Sequence, residues 1–245
     1  MKSDGMMWAA ALAAFLAAPA GAWAQPVNPG GGPAQPPNAN AAPQAQAVPQ
    51  GDVSGEAFGM EVTKPVGQGL GKTAKAALSP GGPRLEEGRQ GPFSTPPGQT
   101  RLSAKLMGST VSGAVGKNAA TSQGKSSVAG VDILGGVIKA DQVLAVASSV
   151  SNGGKASSNA AGSQILGLVI NGVAMGDLTP APNTIIGLPG VGDVILNEQV
   201  PAGDGVTATG LQVNMIHVVQ KDPLTGGKAA DIIVGSAASG ARFKR

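Results

Sequence analysis

From Arg101 to Val234 the chain is a succession of short aliphatic runs separated by residues that favour turns. Runs with period-two alternation are typical of strands, and the Gly, Pro and Asn between them supply the backbone conformations of tight turns. No amphipathic stretch of convincing helical length lies between these runs. The sequence therefore predicts an all-β fold, either an antiparallel β-sandwich or a partly open barrel.

The strongest strand and turn signals fall together between Pro180 and Val200. Two β-branched runs, Thr184 to Ile186 and Val191 to Leu196, flank the tripeptide Leu188-Pro189-Gly190. Proline fixes φ and glycine readily takes a positive φ, which together suit a tight corner. This segment is expected to form a strand, a corner and a second strand.

Further turn signals set the spacing of the other strands. Asn152-Gly153-Gly154 predicts a hairpin, because Asn and Gly tolerate positive φ, and Asn171-Gly172 predicts a turn or bulge within the segment Ile165 to Met175. A later strand, between Val206 and Gln220, shows alternation that predicts one shared face for five residues: Leu211, Val213, Met215, His217 and Val219.

The composition requires an aliphatic core and excludes several kinds of site. The chain has no Cys and no Tyr, and both Trp lie in the first 24 residues. Disulfides, thiolate nucleophiles, iron–sulfur clusters and Cys-ligated zinc are therefore excluded. The net charge of +3 comes from scattered Lys and Arg, with no basic face interleaved with aromatics, so nucleic acid is not an expected partner.

The N-terminal region predicts export. Residues 1–24 have the organisation of a secretory signal peptide: Lys2, an apolar run from Met6 to Ala18, and Ala22-Trp23-Ala24 before a mature start at Gln25. The apolar run is shorter than the roughly 20 residues of a membrane-spanning helix, so no stable span is expected after cleavage. Residues 25–52 are rich in Pro, Ala, Gln and Asn and predict a disordered stalk.

Residues 53–240 are expected to form a single all-β domain, with a long Gly/Pro-rich loop or insertion at 64–100 and a basic tail at 241–245. Within the loop, Gly67 to Thr73 is similar to a phosphate-binding loop. That motif requires a glycine where this chain has Val66, and it requires a preceding strand and a following helix. A flexible glycine-rich loop is the better interpretation, and no nucleotide cofactor is predicted.

Several segments occur in a familiar order: Ser127 to Asp141, Leu168 to Gly172, Pro182 to Thr184, Leu188 to Gly192 with Leu196 to Gln199, Asn214 to Val218, and Val234 to Ala237. On these segments the chain resembles the choice-of-anchor P family of exported bacterial proteins. The resemblance implies a surface or secreted β domain of unassigned activity, and it supplies no catalytic residues. The segment after Val234 departs from the family, since neither a sortase-type motif nor a long apolar run follows.

Few residues suggest chemistry. His217 is the only histidine, and a catalytic base needs a nucleophile or acid within reach, for which the sequence shows no spacing. The carboxylates Asp132, Asp141, Asp193 and Glu198 follow neither a calcium-loop pattern nor a paired spacing. No metal or other cofactor is therefore predicted.

The most polar cluster of the segment between Pro180 and Val200 is Asn197, Glu198 and Gln199. These side chains are candidates for binding a sugar or a protein partner through amide hydrogen bonds. The alternative, which we favour, is that they satisfy backbone groups at a strand end. The absence of Trp and Tyr beyond residue 24 argues against a sugar-stacking platform.

Together these features predict an exported, non-enzymatic β domain with a structural or adhesive role at the cell surface. The alternative is a binding module for an envelope or extracellular-matrix polymer. A third hypothesis, a hydrolase, would require Asp132 and Asp141, or Glu198, to lie within about 10 Å in a cleft. The expected locations are the cell surface, the periplasm or the medium, and the expected partner is an envelope polymer or a surface protein.

Overall fold

The computed structural model describes residues 51–65, 67, 69–79 and 85–244, and these form fifteen strands and no helix. The all-β prediction is therefore confirmed. The predicted signal peptide and nearly all of the predicted stalk lie outside the described residues. The strands are β1 (Gly51–Thr63), β2 (Ala76–Ala77), β3 (Leu85–Gln90), β4 (Phe93–Ser94), β5 (Leu102–Ala104), β6 (Leu106–Val115), β7 (Ala120–Ile133), β8 (Ile138–Ser151), β9 (Ala156–Asn159), β10 (Gln164–Ile170), β11 (Val173–Leu178), β12 (Thr184–Leu188), β13 (Gly192–Gly203), β14 (Ala208–Lys221) and β15 (Lys228–Phe243).

The strands form two antiparallel sheets that pack face to face. The six-stranded sheet has the order β12-β13-β14-β15-β1-β2. The nine-stranded sheet follows the path β11-β10-β8-β7-β5-β4, and in addition β6 pairs with β7, β3 pairs with β6, and β9 pairs with β8. Neither sheet closes on itself, so of the two predicted architectures the sandwich is confirmed.

Local sequence explains most of the turns. Asn152-Gly153-Gly154 joins β8 to β9, as predicted, and Pro189-Gly190 forms the predicted corner between β12 and β13. Asn171 and Gly172 both have positive φ, 50° and 78°, in the turn between β10 and β11. The predicted strand from Ile165 to Met175 is therefore a hairpin of two strands, because two consecutive left-handed residues reverse the chain.

The core is aliphatic, as the composition requires. The nine-stranded sheet contributes Ile133, Ile138, Ile165 and Leu168, all fully buried. From the six-stranded sheet come Leu196, Met215, Ile216 and Ile232, which are buried to the same degree and belong to the same cluster.

One part of the contact between the sheets is built from small residues instead. We call it the small-residue contact: Gly55, Ser122, Gly124, Ser149 and Ser239. Here Ser149 Oγ lies 2.8 Å from Ser239 Oγ, and Ser122 Oγ donates to the Ser54 carbonyl at 2.6 Å. Hydroxyl groups thus join one sheet directly to the other, which brings the backbones closer than the roughly 10 Å typical of stacked sheets.

Two predicted boundaries are wrong, and one predicted loop contains strands. Gly51 and Asp52 belong to β1 and pair with Phe243 and Arg242, so the domain begins before residue 53. Those same pairs place residues 241–243 within β15, where a basic tail was expected. Residues 64–100, predicted as a long loop or an insertion, contain β2, β3 and β4, and β3 pairs with β6 over six residues, so they are not one long loop.

Within the described ranges, no helix is long and apolar enough to span a bilayer.

Candidate functional site

A line of irregular backbone crosses the six-stranded sheet, and we call it the irregular row: Asn197, Met215, Gly235 and Gly59. The pairing of β13 with β14 passes from Leu196–Ile216 to Glu198–Asn214 and leaves Asn197 and Met215 between these pairs. Asn197 and Gly235 have φ of 51° and 68°, a region that Asn and Gly tolerate best. The regular alternation of side chains is interrupted at this row.

The interruption changes which side chains of β14 face outward. Met215 and Ile216 are consecutive and both fully buried in the core. His217 therefore lies on the outer face of the sheet together with Asn214. The predicted shared face for Leu211, Val213, Met215, His217 and Val219 is wrong, because Ile216 takes the inward position that His217 would have had.

His217 links two carboxylates on this outer face. Its Nδ1 lies 3.0 Å from Glu198 Oε2 on β13, and its Nε2 lies 3.2 Å from Asp231 Oδ1 on β15. The three side chains are only 15–21% exposed. We call this group the carboxylate–histidine bridge: Glu198, His217 and Asp231. It spans three adjacent strands.

Polar side chains extend the bridge at both ends. Asn214 Nδ2 donates to Glu198 Oε2 at 2.7 Å, and Ser236 Oγ donates to Asn214 Oδ1 at 2.7 Å. Glu198, Asn214 and Ser236 are direct cross-strand partners, which places them side by side on one face. At the other end, Lys228 Nζ donates to Asp231 Oδ2 at 2.8 Å.

The electrostatics of the bridge favour an ionised Asp231. Burial alone would raise the pKa of its carboxyl group, but hydrogen bonds from Lys228 and His217 outweigh burial and hold the pKa below its ordinary value. A neutral imidazole has only one N–H to donate. Both hydrogen bonds of His217 to the carboxylates therefore form together when the ring is protonated or when one carboxyl group carries a proton.

This geometry predicts that Asp231 contributes to acid sensitivity. Because its folded-state pKa lies below the unfolded value of about 3.9, the ionised group stabilises the fold above that pH, and the contribution is lost as the pH falls through the folded-state pKa. We expect Asp231→Asn to lower the free energy of unfolding by on the order of 1 kcal/mol at pH 7. The difference from wild type should shrink toward pH 2, as measured by urea unfolding across pH.

The exposed Asp52 provides a matched control for this prediction. Asp52→Asn makes the same change in charge outside the bridge and is expected to change the free energy of unfolding at pH 7 by less than Asp231→Asn does. A deficit of Asp231→Asn that stayed constant from pH 7 to pH 2 would contradict the assigned role of this carboxylate.

The predicted polar cluster is divided by the irregular row. Glu198 joins the bridge, whereas Asn197 is buried and its Nδ2 donates to the Pro180 carbonyl at 2.7 Å. Gln199 donates through Nε2 to Asn197 Oδ1 at 3.1 Å and through its backbone N–H to Asn183 Oδ1 at 2.9 Å. Asn197 and Gln199 thus attach β13 to the segment that leads into β12.

The other carboxylates considered from sequence lie elsewhere. Asp132 and Asp141 are on β7 and β8 of the nine-stranded sheet, and Asp132 lies opposite Lys139. Glu198 belongs to the six-stranded sheet, so the structure does not bring it together with these two. Among the described side chains, no group of three His, Asp or Glu is placed to hold a metal ion.

Two grooves lie on the outer faces of the sheets. The first, with a volume of about 440 Å³, crosses β6 to β9, and its polar lining includes Ser112, Thr121, Gln123, Ser148, Ser157 and Asn159. The second, of about 500 Å³, runs over β13, β14, β15 and β1, with a lining that includes Ala202, Gly210, Ala238, Gly240, Gln212 and Arg242. Because adjacent strands supply each lining, the floor of each groove is the sheet itself.

Sequence reasoning missed the bridge. Glu198 and His217 were each considered, but Asp231 was not, and no spacing along the chain links the three. Their meeting depends on strand register and on the position of the irregular row. The only sequence signal was that each polar residue falls next to aliphatic strand residues, as in Ile216-His217-Val218 and Asp231-Ile232-Ile233.

Comparison of the chain with protein-family models, with curated proteins and with solved structures found no match.

Proposed function

We propose that this chain is an exported β-sandwich that acts in structure or adhesion at the cell surface and catalyses no reaction. The observation that carries the proposal is the state of His217, whose two ring nitrogens both lie within hydrogen-bond distance of carboxylates. General-base catalysis requires a ring nitrogen that faces the proton to be removed. In the bridge, each nitrogen faces a carboxylate of the protein itself.

The neighbouring hydroxyl supports the same conclusion. Activation of a serine nucleophile requires a base within hydrogen-bond reach of its oxygen. Ser236 Oγ instead donates to Asn214 Oδ1, and Asn214 in turn donates to Glu198. These contacts tie β13, β14 and β15 together, so we assign the cluster a stabilising role.

Export and surface location are inferred from the sequence. Residues 1–24 have the pattern of a signal peptide, and residues 25–52 have the composition of a spacer. The chain contains no cysteine, so its stability in an oxidising compartment does not depend on disulfides. The resemblance to the choice-of-anchor P family is part of this proposal.

A second candidate function, binding of an envelope or matrix polymer, is favoured by the groove on the nine-stranded sheet. Its polar lining consists of hydroxyl and amide side chains, which both donate and accept hydrogen bonds. Such a lining suits a polyhydroxylated chain lying along the face of the sheet.

Fractionation of the native cells tests the proposal and separates the two candidates. A surface structural protein should remain with the envelope after a high-salt wash. If a polymer in the groove holds the protein, enzymatic digestion of that polymer should release the protein from the envelope. The double variant Q123A/N159A should also be retained less than Gln212→Ala, which is a control in the other groove. Protein found only in the cytoplasm would overturn both candidates.

A further inference from the structure

The two lateral sides of the sandwich differ in how their edge strands are protected. On one side the edge strands are β3 and β4 of the nine-stranded sheet and β2 of the six-stranded sheet. β3 carries Glu86, Glu87 and Arg89, while β2 has only two residues and follows Lys75. Charged side chains and short strands are the usual means by which proteins prevent edge-to-edge pairing.

On the opposite side the edge strands are β11, β12 and the four-residue β9, and the part formed by β11 and β12 carries few charges. We call it the β11/β12 side: the sixteen residues from Val173 to Leu188. Its only charged residue is Asp177, whose Oδ1 accepts a hydrogen bond from the Gly167 N–H. Three large apolar side chains on it are exposed: Val173, Met175 and Ile185.

Of the two edges, β12 is the more regular. It pairs with β13 over five consecutive residues, from Thr184–Leu196 to Leu188–Gly192, without a bulge. The edge of β11 is interrupted, since its pairing with β10 shifts in register and Gly176 has a φ of 74°. Among the described residues, no strand pairs with the outer edge of β12. Its backbone is therefore available to a further strand.

We propose that a second copy of this chain binds here, with β12 of each copy paired antiparallel around Ile186. This register places Ile185, which is 66% exposed, opposite Gly187 of the second copy, where no side chain competes for space. A two-fold axis perpendicular to the sheet keeps the inner faces of both copies on the same side. The two β11 strands then also lie at the junction, and the six-stranded sheets join into one.

The charge and size of the β11/β12 side favour a copy of the chain over another partner. A side with a single carboxylate offers nothing to select an acidic or basic peptide, yet it lets two identical copies approach without strong repulsion. A standard interface uses about 20–30 residues on each side. The β11/β12 side has sixteen residues, so we expect a reversible dimer with a dissociation constant in the micromolar range. This inference does not depend on the proposed function.

Sedimentation velocity of the chain recovered from cells, from about 1 to 100 μM, tests the proposal. The wild type should change from monomer to dimer over this range, and Ile185→Lys should weaken the dimer at least tenfold. Leu85→Lys is the matched control, because Leu85 is 57% exposed on the protected edge strand β3. This substitution should leave the dimer unchanged. A monomer throughout, or equal effects of the two variants, would overturn the proposal.

Cross-linking tests the register independently of the lysine variant. The chain has no cysteine, so Ile185→Cys introduces a single thiol. In the proposed pairing the two thiols are diagonal neighbours about 7–8 Å apart, within reach of a short bismaleimide. The Ile185→Cys protein should cross-link to a dimer and Leu85→Cys should not. Failure of Ile185→Cys to cross-link at a concentration where it sediments as a dimer would overturn the pairing.

Discussion

Replacing Gly124 by valine is expected to destabilise the protein by about 3 kcal/mol, although valine favours strands more than glycine does. Gly124 lies in the small-residue contact, and a Cβ at this position would come within 2.6 Å of the Ala238 carbonyl oxygen on the other sheet. The obstacle is backbone, which cannot rotate away, so the sheets must separate. For a domain of this size we expect the melting temperature to fall by roughly 6–12 °C, measured by circular dichroism.

Gly108 is the matched control for this substitution. It lies on the neighbouring strand β6, and a Cβ built on it would have no atom within 4 Å. Gly108→Val is therefore expected to leave stability unchanged or to raise it slightly, through the strand preference of valine. Equal melting temperatures for Gly124→Val and the wild type would show that the sheets do not approach as closely as described.

Alanine substitutions at Met215 and Ile216 should each cost about 2–5 kcal/mol in the free energy of unfolding. In a regular strand, consecutive side chains point to opposite faces, so only one of two neighbours can be buried in the core. Here both are fully buried, because the irregular row interrupts the alternation between Asn214 and His217. Urea unfolding of the two single variants measures the two losses separately.

Leu224 controls for the loss of an exposed side chain, since it is 94% exposed in the turn between β14 and β15. Leu224→Ala is expected to change stability by less than about 0.5 kcal/mol. If either Met215→Ala or Ile216→Ala cost as little as Leu224→Ala, β14 would alternate regularly. His217 would then have no structural reason to lie beside Glu198.

The turns were the most predictable part of the fold, because their chemistry is local. Pro189-Gly190 and Asn152-Gly153-Gly154 each restrict the backbone without help from distant residues, and both form the predicted turns. The all-β class followed from the same spacing of turns and aliphatic runs. The strand end at residues 241–243 was not predictable in this way, because a cluster of Arg and Lys is typical of a solvated tail and the pairing with Gly51 and Asp52 is a contact between distant parts of the chain.

The site was far less predictable, for a physical reason. Simple alternation predicts that His217 shares a face with Met215, and nothing in the local sequence shows that Ile216 takes the inward position. The positive φ of Asn197 and Gly235 becomes apparent only when β13 and β15 are aligned beside β14. Asp231 meets His217 through that alignment, so the bridge is a property of the sheet and not of any segment.

The irregular row therefore connects the fold to the proposed function. It brings Glu198 and Asp231 to the two nitrogens of His217, and in doing so it satisfies the only imidazole of the chain with the protein's own carboxylates. The outer faces of the two sheets carry the two grooves, and the β11/β12 side carries a strand edge that no described strand pairs with. These features suit contacts with extended partners and with other copies at a surface.

Labelling of intact cells with a membrane-impermeant amine reagent, followed by mass spectrometry, tests the proposed surface role most directly. Lys117, Lys125 and Lys155 are exposed on the sandwich and should be modified on intact cells as extensively as in the purified protein. An abundant cytoplasmic protein in the same sample should stay unmodified. If these lysines react only after the cells are broken, the sandwich is not at the cell surface and the proposed function is wrong.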